Sequence, residues 1–220
     1  MFNVQLNVFN NNQTDYCRQN FIVLDENKNV YNSVMDDLSW KCLILFGPKG
    51  SGETHLAHIW QSMNNAIFIN VNNFIGEMRY SNAFILEDIQ NVQDEAMLLH
   101  CYNYIKEDNK RLLITSSTSS KRLNFKLKDM SSPILSTTSV KIPPASGELL
   151  RIMLMKRFSD KPLKVDLKVI NYIFARIERS FCSVNKVIEK IDNESMGSNI
   201  TIPFIRTLLK NGMIYDFLII

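Results

Sequence analysis

The 220 residues, 45% hydrophobic and 21% charged, suffice to bury a sizeable core and exclude a broadly disordered chain. A net charge of +3, with basic residues spread along the chain, does not announce a nucleic-acid binder; Lys121-Arg122 and Lys126/Lys128 read as a solvated face. No apolar run approaches a membrane span and no secretion signal opens the chain, so a cytoplasmic protein is expected, with Cys17, Cys42, Cys101 and Cys182 as reduced thiols.

The first twenty residues are polar and asparagine-rich, with one apolar cluster, Gln5-Leu6-Asn7-Val8-Phe9. From Phe21 the character changes, and a short helix is predicted over Tyr31 to Leu38. Lys41-Cys42-Leu43-Ile44-Leu45-Phe46 is a buried-strand candidate. It runs into Gly47-Pro48-Lys49-Gly50-Ser51-Gly52-Glu53-Thr54, a phosphate-binding loop with an acid at its lysine position. In the pattern GxxxxGK[ST], glycines let backbone N–H groups close around phosphate oxygens at the mouth of a helix, and a lysine reaches the terminal phosphates. The helix is present: Leu56, Ile59, Trp60 and Met63 form one apolar stripe. Glu53 replaces the lysine. Two unit charges about 4 Å apart interact by roughly 4 kcal/mol at an effective dielectric near 20, so the exchange removes an attraction of that order and adds a repulsion. Weak nucleotide binding, or none, is the expectation. His55 and His58, one turn apart without a third ligand, read as surface residues.

Ala66-Ile67-Phe68-Ile69-Asn70 is the next strand, followed by Ala83-Phe84-Ile85-Leu86, which ends in Glu87 and Asp88. Two carboxylates at the end of a buried strand after a phosphate loop have the Walker B layout. There Glu87, with Thr54, would hold Mg²⁺, and Asp88 would take the neighbouring polarising place. A helix carries Leu98, Cys101, Tyr102 and Ile105, and the strand Arg111–Thr115 ends in Thr115 and Ser116, placed to sense a terminal phosphate. Val140-Lys141-Ile142 makes a short fifth strand. Strands alternating with helices predict a parallel sheet covered on both faces.

Pro143-Pro144 marks a boundary, and four helices follow. The first is lined by Leu150, Leu154 and Phe158. Asp166 caps the second, with Ile170, Ile173, Phe174 and Ile177; Ser180 caps the third, with Val184, Val187, Ile188 and Ile191. Thr201 and Pro203 open the last, with Ile205, Leu208 and Leu209. The expected fold is α/β: an αβα core at 21–144 and a four-helix lid at 145–212, with a flexible tail at 1–20 and a C-terminal tail at 213–220.

The phosphate loop with His55-Leu56-Ala57-His58, the Glu87-Asp88-Ile89-Gln90 acids, the Leu113-Ile114-Thr115-Ser116 strand and the helical lid resemble the AAA+ domain of the bacterial initiator DnaA. They are more similar to its shorter regulator, Hda, over nearly all of residues 20–210. The resemblance implies a regulator of replication initiation that contacts DnaA, with ADP or ATP and Mg²⁺ as cofactors at 47–54. It further implies a sliding-clamp peptide, QLxLF in form, matched by Gln5, Leu6, Val8 and Phe9. Direct sequence-specific DNA binding is not expected, since the sequence stops after the lid, and AAA+ kinship admits a homo-oligomer. The chain departs from the pattern where family members offer an arginine finger: Leu127-Lys128-Asp129-Met130-Ser131-Ser132-Pro133-Ile134 holds no arginine, and Lys126 or Lys128 lacks the planar fork. The lid's sensor arginine aligns near Cys182, with Arg179 one turn away. Turnover of ATP is therefore not expected. Two alternatives stand beside this reading: a weak ATPase in which Lys49 serves for the lysine, and a nucleotide-independent DnaA-type adaptor.

Overall fold

Periodicity sorts this chain into layers. The computed structural model describes residues 16, 18–37, 39–71, 81–160, 165–195 and 199–210. Five parallel strands, β1 (Cys42–Phe46), β2 (Ile67–Phe68), β3 (Ala83–Leu86), β4 (Arg111–Ser116) and β5 (Thr138–Lys141), form a sheet in the order β2-β3-β4-β1-β5. Alternation on β1 divides the core: Leu43 and Leu45 face one side, Ile44 the other. The first side packs against α1 (Asp25–Met35) and α2 (Glu53–Asn64), the second against α3 (Glu95–Glu107) and α4 (Lys128–Ser136). An αβα sandwich results, as expected of strands buried on both faces.

Three elements differ from expectation. Helix α1 begins at Asp25, ahead of the predicted Tyr31. The side chain of Asn27 accepts the Leu24 N–H at 2.8 Å and donates to the Ile22 carbonyl at 2.9 Å, so the helix starts where asparagine closes its first turn. Leu38, the predicted end, lies outside the described residues. Met63, placed on the buried stripe of α2, is 45% exposed, because the apolar face ends at Trp60. Helix α4 was not predicted at all: Pro133 removes a backbone donor inside it. Its start is supplied from another element, as Glu95 accepts the Lys126 and Leu127 N–H groups at 3.1 and 2.6 Å. Those two bonds hold the Glu95 carboxyl below its usual range.

Beyond Pro143-Pro144 the lid consists of α5 (Gly147–Ser159), α6 (Leu167–Phe174), α7 (Phe181–Ser195) and α8 (Ile202–Lys210). Leu150, Leu154, Phe158, Ile170, Ile173, Ile177, Val184, Val187, Ile188, Ile191, Ile205 and Leu208 share one apolar cluster, as their spacing predicts. Ser146 and Ser180 cap α5 and α7 through the Leu149 and Ser183 N–H groups, both at 3.1 Å, whereas Asp166 precedes α6 without a side-chain cap bond. The start of the lid is tied to the core where Ser146 N–H donates to Glu26 at 3.2 Å. Among the described residues no helix is long and apolar enough to cross a membrane.

Candidate functional site

The phosphate loop forms where β1 leaves the sheet, and its backbone does what its glycines require. Gly50 and Gly52 adopt φ of +79° and +101°, which side-chain-bearing residues rarely adopt, and the turn delivers the chain into α2. Gly47, anchored by its N–H to the Ser116 carbonyl at 3.3 Å, has no room for a Cβ. Such an atom would lie 2.4 Å from Ser51 Oγ, 2.9 Å from Glu53 Oε1 and 3.0 Å from the Ile142 carbonyl. Glu53 is therefore turned into the loop, and Ser51 Oγ donates to its Oε1 at 2.8 Å. Burial pushes this carboxyl up to about 7, against the Ser51 hydrogen bond, and the charge of Asp88 pushes the same way.

Parallel register brings the other polar residues to the same end of the sheet. Phe46 pairs with Ser116 and Leu86 with Ile114, so Glu87 and Asp88 emerge beside Thr115. The Asp88 N–H donates to Thr115 Oγ1 at 3.0 Å, and Asp88 takes φ of +51° as β3 turns away. Gln90 links the two strand ends: its amide donates to Asp88 Oδ1 at 2.9 Å and its oxygen accepts the Ser117 N–H at 3.2 Å. Thr115 and Ser116 are buried, Asp88 exposed.

Lid and loop touch directly. A Cβ at Gly50 would lie 3.6 Å from the Cys182 Cβ and 3.7 Å from the Ser180 Cβ; one at Gly52 would lie 3.5 Å from Phe21 and 3.8 Å from Phe181. Around this contact is a cleft of about 430 Å³. Lys49, Gly50, Gly52, Glu53 and Thr54 form one wall; Phe181, Cys182, Lys186 and Glu189 of α7 form the other, with Phe21 at the rim. Arg179 does not line it; its guanidinium lies 6.0 Å from the Phe174 ring centre. A larger, more open groove of about 910 Å³ lies within the lid between α5, α6 and α8, away from the loop and strand-end acids. We take the smaller cleft as the candidate site, because the phosphate loop and the lid helix α7 meet there; Glu87, Asp88, Thr115 and Ser116 lie at the neighbouring strand ends and do not line it.

The residues present fit a phosphate group in backbone and fail to fit it in charge. Glycine geometry and the helix mouth suit an anion, whereas the side chain turned inward is itself an acid. Thr54 and Glu87 are the residues expected to hold magnesium; among the described residues no group of three His, Cys, Asp or Glu side chains is placed to hold a metal ion. The segment 127–134 lies mostly in α4, with Lys126 and Lys128 exposed and no arginine.

Gln5, Leu6, Val8 and Phe9 lie outside the described residues. Within the stretch predicted as tail, Tyr16 stacks on His58 with ring centres 4.3 Å apart, and residues 18–20 form a single 3-10 turn. His55 meets Phe21 edge-on at 5.2 Å, so both histidines are ring-packed rather than plain surface groups. Histidine at i and i+3 was the only signal for this cluster, because its aromatic partners come from distant chain positions.

The family described as "Hda, lid domain" matches residues 149–209. Among curated relatives, the chromosomal replication initiator protein DnaA of Borreliella burgdorferi is 22% identical, covering 91% of this chain and 48% of that protein. The chain thus spans about half the length of the DnaA proteins it matches. A Haemophilus influenzae protein described as uncharacterized is 23% identical over 88% of this chain and 90% of its own length. In structure, the chain is similar to domain III of Thermotoga maritima DnaA, with a TM-score of 0.75, 17% identity and coverage of 90% of this chain and 97% of that one. It is also similar to a DnaA bound to AMPPCP and single-stranded DNA (TM-score 0.71, 15% identity, 91% and 69% coverage).

Proposed function

This chain belongs to the DnaA-related AAA+ proteins, with an Hda-type lid, and from that premise we propose that it is an Hda-like regulator of chromosomal replication initiation. The observation that carries the proposal is the lid. A sequence match over residues 149–209 covers the lid, and a fold similarity covering 97% of a DnaA domain III spans 90% of this chain. In this reading the chain binds the replication sliding clamp through Gln5, Leu6, Val8 and Phe9 and contacts DnaA through an AAA+-type face, favouring its inactivation. A short peptide that buries a few apolar side chains while its glutamine hydrogen-bonds suits such a groove.

Its action is one of binding rather than phosphoryl transfer. Glu53 stands where a lysine would attract phosphate, and the stretch 127–134 offers no arginine to stabilise a transferring phosphoryl group in a neighbouring subunit. Occupying DnaA and blocking its assembly requires neither.

The test is binding of the purified chain to its cognate clamp, with a chain lacking residues 1–10 and a Leu6→Ala/Phe9→Ala double variant beside it. Micromolar or tighter binding that both changes abolish is the expected result. Equal affinity in all three would remove the clamp from the proposal, and absence of any complex between the chain and DnaA would remove the regulatory role.

A further inference from the structure

Another cavity lies at the opposite end of the sheet from the phosphate loop. It holds about 220 Å³ where β1, β4 and β5 begin, with Cys42, Leu112 and Thr138 at the strand starts and Tyr102 of α3 along one side. Three lysines from different parts of the chain meet there: Lys41 ahead of β1, Lys106 in the last turn of α3 and Lys110 ahead of β4. No residue lines both this cavity and the cleft beside the loop.

The positive charge here is neutralised only in part. Lys110 is held in place, its side chain 12% exposed, with Asp108 at 3.5 Å and the Tyr104 and Phe84 ring centres at 4.9 and 5.7 Å. Among the described residues neither Lys41 nor Lys106 has an ion-pair partner. The Cys42 thiol adds no negative charge, since burial pushes it up to about 12. The carbonyl end of α3 is occupied as well: Tyr104, Ile105 and Lys106 accept the N–H groups of Asp108, Lys110 and Asn109. Hydroxyl groups complete the lining. Ser136 and Thr137 both donate to the Pro133 carbonyl at 2.9 Å. Ser136, exposed at the end of α4, can turn to another acceptor while Thr137 keeps that carbonyl paired.

We propose that this cavity is a second anion site, which takes a single phosphate group, either the free ion or the head of a small phosphomonoester. Converging ammonium groups with a neighbouring hydroxyl suit an anion that presents several oxygens at once. The volume sets the size of the ligand, because pockets for drug-sized molecules run to roughly 300–1,000 Å³ and this one is smaller. A nucleic-acid backbone calls for a groove of cations that tracks successive phosphates. Here the lysines close on one recess instead. The proposal is independent of the reading of the cleft beside the loop.

The test follows amide chemical shifts of the full, nitrogen-15-labelled chain at constant ionic strength, with sodium phosphate and glycerol 3-phosphate titrated separately. Saturable shifts at Cys42, Leu112 and Thr138 are expected. Lys41→Gln and Lys106→Gln, both at exposed positions, should each weaken binding about tenfold while the rest of the spectrum stays native. Lys121→Gln, at an exposed lysine outside the cavity, should leave the affinity unchanged. Tighter binding of phosphate than of its ester identifies the free ion as the ligand, and the reverse order identifies a phosphomonoester. Shifts that rise without saturating, that persist unchanged in both cavity variants, or that fall only on residues 47–54 overturn the proposal. A stronger response to a thymidine oligonucleotide lacking terminal phosphates than to either small anion overturns it too.

Discussion

The lid and the phosphate loop of this chain were built by different rules. In the lid, function follows bulk properties: apolar residues at helical spacing bury one face of each helix, and many sequences satisfy that demand. In the loop, shape and chemistry come apart. Its turn depends on glycines that adopt positive φ, whereas the charge the loop presents depends on the sign of one side chain, Glu53. A nucleotide-binding shape is therefore no guarantee of a nucleotide-binding charge. The lid can be matched by sequence over 61 residues, 149 to 209, while the loop beside it carries Glu53 where the phosphate-loop pattern has a lysine.

The largest test of that contrast is Leu154→Ala. Leu154 is fully buried at the centre of the lid cluster, and its truncation is expected to cost about 2–5 kcal/mol in chemical denaturation. A loss below 1 kcal/mol would mean that the lid is not packed as one core. Next, two glycines separate backbone demand from bulk packing. Gly52→Ala is expected to cost about 1–2 kcal/mol, because φ of +101° strains any Cβ. Gly147→Ala, at the start of α5 where the nearest atom to an added Cβ is 3.6 Å away, should be neutral or stabilise by up to about 1 kcal/mol. Equal effects at the two would erase the distinction. The smallest effect is a pH slope. Between the ordinary value of 4.5 and about 7, the folded chain holds the Glu53 proton that the unfolded chain has released. Stability from this group is then complete below pH 4.5 and is lost as pH rises toward 7. Denaturation midpoints of Glu53→Gln, measured against the native chain, should lack this downward component.

Much of the fold was legible in advance for a physical reason: β1, α2, α3 and the lid helices announce themselves by local spacing, and local spacing is what the sequence displays. Helix α4 was hidden because its start is capped by Glu95, some thirty residues earlier, and its interior holds Pro133. The candidate site was half legible. Glycines, strand-end acids and the Thr115-Ser116 pair carry a pattern, and the sheet register brings them together as their order implies. Arg179 carried a role that its side chain, lying over Phe174 rather than along the cleft, does not display.

By itself the sequence determined the parallel αβα order, the lid, and the reversed charge at residue 53, since periodicity, turn chemistry and ionisable groups are all local properties. Only tertiary structure decided where that charge goes. Whether a glutamate extends into solvent or folds beneath its own loop depends on Gly47, Ser51 and Asp88, brought together by β1, α2 and β3. The contact of Phe181 and Cys182 with the loop was likewise set by how the lid packs on the core, since a loop and a helix so far apart in the chain meet only through the fold.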